Sequence, residues 1–289
     1  MKSKLTNVIL SSDSSPAFLN FWPLAVKAWE KVFAISPILA FVVANERDER
    51  LLPRLMGFGR VVPIFSNSLA PIQNQGKMAR WFIACQMGDS VTTIDDIDSI
   101  FLNSEYLLDK LQYLDKEMML GIGSEVYSGP DFGKFPATNL TGTGNQFAKL
   151  FNYEAQMNFE SFLLQFNGLH LFDGKENPFN RPRNFSDESL IRAITPPGFI
   201  KVIPRNLDTD LDWVDRLNWP SYIYPEFLES RCIVNFPRPL FENRKKAKYF
   251  LDEYFPEGYP WIVKRRTLKK NPDSNFSRLK LKLTHFKYN

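Results

Sequence analysis

Ser90-Val91-Thr92-Thr93-Ile94-Asp95-Asp96-Ile97-Asp98 is the stretch on which the reading of this chain turns. Its first half is β-branched, the composition of a strand. It runs without a spacer into three carboxylates within four residues. Working back from it, Ile72–Met87 has helical spacing: Met78, Phe82 and Cys85 fall on one face, with Lys77, Arg80 and Trp81 on a neighbouring one. Val61-Val62-Pro63-Ile64 reads as a strand weakened by its proline, and Ile38–Val43 as a buried strand. Residues 17–33 repeat Leu19, Trp22, Val26 and Trp29 at helical intervals. Val8-Ile9-Leu10 is a short buried strand that ends in the polar turn Ser11-Ser12-Asp13. Strands alternating with helices over the first hundred residues predict an α/β domain with a mostly parallel sheet.

In such a sheet, ligands bind beyond the carboxyl ends of the strands. Three crowded carboxylates at a strand end repel one another and are tolerable with a cation among them. Asp96 and Asp98 are two residues apart, so in extended or turn geometry they project to the same side. An oxygen-only ligand set selects Mn²⁺ or Mg²⁺, ions that also favour phosphate oxygens. The competing reading is a solvated acidic turn that caps the next element. The β-branched strand in front of the cluster favours the metal.

Downstream the pattern is less regular. Phe135–Leu140 reads as a strand, Thr141-Gly142-Thr143-Gly144 as a turn, and residues 155–166 as an amphipathic helix. Ser186-Asp187-Glu188-Ser189-Leu190 opens another helix with Ser186 as its N-cap. Residues 195–240, rich in Pro and aromatics, are expected to be mostly loop. Among the 289 residues, 36 are Lys or Arg and 32 Asp or Glu. The excess sits in residues 261–289, which hold nine basic residues and one acidic one, Asp273. A net charge of +4 does not by itself point to nucleic acid. Two cysteines make no disulfide framework, and with two histidines they make a Cys/His zinc site improbable. No signal core and no apolar run of membrane-spanning length is present, so a cytoplasmic location is expected, with at most weak peripheral membrane contact through the basic tail. The sequon at Asn139 then carries no weight.

The strand, Asp96-Ile97-Asp98 and the apolar pair Ile100-Phe101 together resemble the DxD motif of GT-A fold glycosyltransferases. Over roughly residues 7–195 the pattern is similar to the small enzymes of this kind in large algal (chlorella-type) viruses, which would place the protein in a host cell's cytoplasm. The resemblance implies a GT-A, Rossmann-like single domain over residues 1–260, with a mostly parallel central sheet, an irregular C-terminal part and a basic tail from 261 to 289. It implies transfer of a sugar from a nucleoside-diphosphate sugar, UDP-linked by preference, to a glycan acceptor, with a lean towards retention of configuration. Asp96 and Asp98 would hold Mn²⁺ or Mg²⁺. Ser11, Ser12, Asp13, Lys77, Arg80, Asp95 and Arg238 would face the donor. Asp187 and Glu188 would act at the reacting carbon. Many GT-A enzymes add a C-terminal His as a metal ligand. The comparable segment here, Val234–Pro239, has none, leaving Asn235 or water for that position and Arg238 for phosphate.

Each assignment has a plainer counterpart. Lys77 and Arg80 could be a solvated helix face, and acids in a first helical turn suit the helix dipole without any catalytic duty. Asp96-Ile97-Asp98 also resembles the nucleophile motif of haloacid-dehalogenase-type phosphatases, although that motif usually follows the first strand. A non-catalytic scaffold working through its basic tail is the remaining alternative, at a membrane surface or on nucleic acid.

Overall fold

Parallel strands are laid down early and the chain then doubles back. The computed structural model describes residues 4–123, 135, 137–166, 187–204, 212–214 and 231–262. In chain order the strands are β1 (Leu5–Ser12), β2 (Ile38–Val43), β3 (Arg60–Phe65), β4 (Val91–Ile94), β5 (Ser99–Phe101), β6 (Met119–Ile122), β7 (Leu140–Thr143), β8 (Ile200–Ile203), β9 (Asp212–Val214) and β10 (Arg231–Asn235). The helices the site depends on are α1 (Pro16–Leu19), α2 (Trp22–Phe33), α3 (Glu46–Glu49), α4 (Leu52–Met56), α5 (Ile72–Ala84), α6 (Glu105–Leu108), α7 (Gly144–Leu150), α8 (Phe159–Leu164), α9 (Asp187–Ile194) and α10 (Arg244–Tyr254).

Seven strands form one sheet in the order β3-β2-β1-β4-β7-β6-β8. Its first four strands are parallel, and β7 runs antiparallel to both β4 and β6. A smaller sheet has the order β5-β10-β9. The fold is α/β with a mostly parallel central sheet, as expected. Alternation along β1 explains the two-sided core: Val8 and Leu10 face one apolar cluster with α2 and α10, while Ile9 faces the other with α5. Every residue of β2 is buried, as a strand covered on both faces requires. Pro63 is tolerated because β3 is an edge strand that pairs only with β2.

Several elements differ from expectation. The helix over 17–33 is broken into α1 and α2, because Pro23 lacks an N–H and its ring would clash with the carbonyl one turn earlier. Phe135–Leu140 is not the strand. Asn139 takes φ 57°, a left-handed conformation incompatible with a strand, and the pairing begins at Leu140. Thr141–Gly144 is therefore strand and helix start rather than turn. Thr143 closes a capping box with Gln146 at the head of α7. The region 195–240 contains β8, β9 and β10. The expected cap Ser186, its neighbour Phe185, and the tail from 263 lie outside the described residues. Among the described residues no helix is long and apolar enough to cross a membrane.

Gly144 shows how tightly β7 and α7 are fitted. A Cβ there would lie 2.4 Å from the Gly88 nitrogen and 2.5 Å from the Met87 carbonyl carbon. Both are backbone atoms that cannot step aside. Gly144→Ala is expected to cost about 2–3 kcal/mol in urea unfolding. Gly198→Ala, at φ +77° with nothing within 4 Å, is expected to cost only about 1 kcal/mol.

Candidate active site

The order β3-β2-β1-β4 places β1 beside β4, with β2 and β3 on the other side of β1. The chain reverses its direction of winding there, and the crevice beyond the carboxyl ends of β1 and β4 is the switch point of the sheet. Both polar turns singled out in the sequence open into it. Ser11 and Ser12 end β1. The Ser12 hydroxyl donates to the Asp13 carbonyl at 2.7 Å, and Asp13 Oδ1 accepts from the Ser15 amide at 2.8 Å. Burial raises the Asp13 carboxyl, and nearby Asp48 raises it further. α5 passes close to the same turn at Gly76, where a Cβ would be in ordinary contact, 3.8 Å from the Asp13 amide nitrogen. Lys77 is half-buried on the same helix.

Arg80 is the centre of the acidic side. It is 5% exposed. One terminal nitrogen, Nη1, donates to Asp96 Oδ1 at 2.8 Å and to the Asp95 carbonyl at 3.1 Å. The other, Nη2, donates to Asp187 Oδ2 at 2.6 Å. Burial works against the guanidinium charge, but the carboxylates of Asp187 and Asp96 outweigh it and raise the pKa of Arg80. Its side chain also lies against the Trp81 ring, 5.3 Å from the centroid. Arg80 thus ties the turn after β4 to the first turn of α9, 107 residues away. Glu188 follows Asp187 in that turn, half-buried, and its carbonyl accepts from the Phe135 amide at 3.2 Å.

The C-terminal strand completes the cluster. β10 pairs antiparallel with β5, setting Asn235 opposite Ser99, and the Ser99 hydroxyl donates to Asn235 Oδ1 at 2.6 Å. The Phe236 amide donates to the Asp98 carbonyl at 2.9 Å. Two residues on, Arg238 Nε lies 2.9 Å from Asp98 Oδ2. The same guanidinium stacks on Phe18 of α1, 4.6 Å from the ring centroid. Ser11, Ser12 and Asp13 thus lie at the end of β1, and Asp95, Asp96, Asp98, Arg80, Asp187 and Arg238 gather around the turn that follows β4.

Besides Arg80 Nε, which has no hydrogen-bond partner, two buried side chains here have unused polar atoms. Asp95 is fully buried; Oδ1 accepts from the Asp96 amide at 2.8 Å, and Oδ2 has no hydrogen-bond partner. Burial, and after it the neighbouring Asp96, push the Asp95 carboxyl well above the usual carboxylate range. Asn139 is also fully buried, with neither amide atom partnered. Its backbone N–H donates to the Ile94 carbonyl at 2.7 Å, which puts it next to Asp95 across the β4–β7 pair. The sequence reading missed Asn139 as a site residue. The available signal was an Asn immediately before a threonine-rich strand, at a turn that needs a left-handed residue.

The donor set fits a divalent cation in one specific sense. Four carboxyl groups meet two guanidiniums, so acidic groups outnumber basic ones in the cluster, and Asp95 Oδ2 and Asn139 Oδ1 are oxygens without a hydrogen-bond partner. Among the described residues no group of three or more His, Cys, Asp or Glu is arranged to hold a metal. A cation at Asp96 and Asp98 would need phosphate oxygens and water for its remaining positions, which is how Mg²⁺-like ions are usually held.

No protein-family model matches the chain, and no curated protein matches it. Among solved structures, an active-site mutant of LgtC aligns over 88% of this chain and 96% of its own, at 12% identity and a TM-score of 0.51. Galactosyltransferase LgtC in complex with donor and acceptor sugar analogues aligns over the same shares at 12% identity, with a TM-score of 0.49. Mouse xyloside xylosyltransferase 1 aligns over 80% of this chain and 96% of its own at 11% identity, with a TM-score of 0.38. Only the first of these likenesses bears on the fold. The fold is the Rossmann-like GT-A fold of glycosyltransferases.

Arg80→Met leaves two carboxylates facing an apolar chain and is expected to cost about 3–5 kcal/mol in chemical denaturation. Adding Asp187→Leu should recover part of that loss, because it removes one stranded charge.

Asp95 sets a pH dependence of the metal-free protein. Its folded pKa is raised above the unfolded value, so between the two the folded state holds the proton more tightly. Its contribution to stability therefore falls as pH rises through that window. Asp95→Asn keeps the acceptor for the Asp96 amide and removes the titration. The variant is expected to melt above wild type at pH 7–8, with the gain shrinking towards about pH 4. Melting curves across that range check it.

Proposed function

We propose that the chain is a metal-dependent glycosyltransferase that takes a sugar from a nucleoside-diphosphate donor, UDP-linked by preference, and passes it to a glycan acceptor hydroxyl. One observation carries the reading. Three segments far apart in sequence, ending in Asp96 and Asp98, Asp187, and Arg238, are drawn together around Arg80 and Asp98 at the switch point of a GT-A fold.

The division of labour follows from the two sides of the crevice. The turn Ser11-Ser12-Asp13 at the end of β1 offers hydroxyl and carboxylate groups to the base and ribose. Asp96 and Asp98 would hold Mn²⁺ or Mg²⁺, which supplies charge neutralisation at the diphosphate as the sugar–phosphate bond breaks. Arg238, between Phe18 and Asp98, is assigned to the diphosphate; its half-buried guanidinium next to the acidic turn supports that role. Lys77 adds a cation on the α5 face. Arg80 is committed to Asp96 and Asp187, so it acts as a positioning residue. It fixes the first turn of α9 and with it Glu188. Glu188 is assigned to the reacting carbon, stabilising its oxocarbenium-like charge with retention or deprotonating the acceptor hydroxyl with inversion. Retention is the favoured course.

Calorimetric titration with uridine diphosphate is expected to show binding with Mn²⁺ and none with chelator. Asp96→Ala with Asp98→Ala should abolish the metal-dependent part. Glu188→Gln should bind as wild type and lower kcat on a UDP-sugar by about 10²-fold or more. Wild-type binding that ignores both metal and the double variant would sink the proposal.

A further inference from the structure

Asp98 Oδ2 has a cation of the protein's own beside it. The Asp98 side chain is 2% exposed and Arg238 Nε is 2.9 Å from that oxygen. A buried carboxylate stripped of its counter-charge is strongly unfavourable, so in the metal-free protein the pair is held by burial as well as attraction. A divalent ion bound by Asp98 would share a single buried carboxylate with the guanidinium of Arg238, whichever of its two oxygens the ion took. The two cations therefore compete for one negative charge.

Arg238 is also built to change partners. It is 26% exposed at the side chain, against 6% for Arg80. Its backbone is fixed beneath it: Asn235 is bonded to Ser99, the Phe236 amide to the Asp98 carbonyl, and Pro237 and Pro239 flank it. Only the side chain is free to swing, and its guanidinium already rests on Phe18 at the nucleotide side of the crevice. Arg80 differs. Its two terminal nitrogens are divided among Asp95, Asp96 and Asp187 in the interior, so it stays in place.

Resting on the glycosyltransferase reading above, we propose that Arg238 is a resident competitor of the metal. It neutralises Asp98 in the empty enzyme, weakens binding of the cation alone, and gives up Asp98 when a diphosphate offers its guanidinium another anion. Cation and nucleotide then bind cooperatively, each supplying what makes the other's site available, and the coupling is reciprocal. The arrangement makes the protein discriminate against the bare ion and in favour of the ion accompanied by its diphosphate.

The test measures Mn²⁺ binding by loss of the free-ion electron paramagnetic resonance signal, with and without uridine diphosphate, on wild type, Arg238→Gln and Arg238→Lys. Melting curves first establish that each is folded. The glutamine variant is expected to bind Mn²⁺ alone about tenfold more tightly than wild type, while the factor by which the nucleotide tightens Mn²⁺ falls about tenfold (about 1.4 kcal/mol of coupling). The lysine variant, which keeps a charge but not the planar fork, should fall between. If wild type shows nucleotide-enhanced Mn²⁺ binding but both variants bind the bare ion no better than wild type does, the competitor role is overturned and the enzyme reading stands. If wild-type Mn²⁺ binding is indifferent to nucleotide, both fall.

Discussion

A guanidinium buried at 5% exposure between two carboxylates is the constraint around which this structure is organised. Arg80 cannot be left without anions in the interior, and Asp187 cannot be buried there without a cation. The pair therefore holds α9 to α5 at Asp187. The turn after β4 must also present Asp96 Oδ1 and the Asp95 carbonyl to the same group. An arginine suits this better than a lysine, because its planar fork can face partners on separate sides without losing geometry. One side chain of a helix on the early sheet thus fixes the position of a helix that arrives a hundred residues later.

A second fixture comes from the small sheet. β5 begins directly after the Asp96-Ile97-Asp98 turn, and β10 pairs with it. The acidic turn is therefore held at both ends: by β4 in the main sheet and by β5 in the small one. This double anchoring lets β10 bring Arg238 to Asp98 without leaving the position to a loop. α10 continues from there and packs back against α2, helped by the ion pair of Lys31 with Glu253. The crevice is walled by elements from both ends of the chain, each tied to apolar core.

The legible parts of this plan were those with a period. β1, β2 and β4 are short β-branched or aliphatic runs in a parallel sheet, buried on both faces, so composition alone marks them. The acidic turn stands out because three carboxylates at a strand end need explaining. Roles that depend on distance were not legible. Arg80 and Lys77 share a helix face, and spacing cannot say that one is buried among acids while the other is half-exposed. β6, β8 and β10 were missed since four or five residues such as Met-Leu-Gly-Ile carry no alternation, and they become strands only because neighbours offer them an edge. Gly142 and Gly144 suggested a turn, yet both are there for contact. A Cβ on Gly142 would strike the Met119 side chain at 2.9 Å, and one on Gly144 the backbone at Gly88. Arg238 came into view through resemblance to a family pattern, not through anything in its own surroundings in the sequence.

Charge balance links the parts of the site. Asp95, Asp96, Asp98 and Asp187 stand against Arg80 and Arg238, and one of the four, Asp95, relieves the crowding by holding its proton well above the usual range. A diphosphate entering this cluster without a cation would meet repulsion from Asp96 and Asp98 in a partly desolvated crevice, where such terms are large. A cation entering alone would have to share a buried carboxylate with a guanidinium. Each ligand is disfavoured by a group that the other neutralises or engages. On the proposed reading, the carboxylates and Arg238 together make the empty site reject both halves of the donor complex and accept the whole. That also explains how a buried acidic cluster persists: Asp96, Asp98 and Asp187 are held by arginines, Asp95 keeps its proton, and only the arginine nearer the solvent has to move.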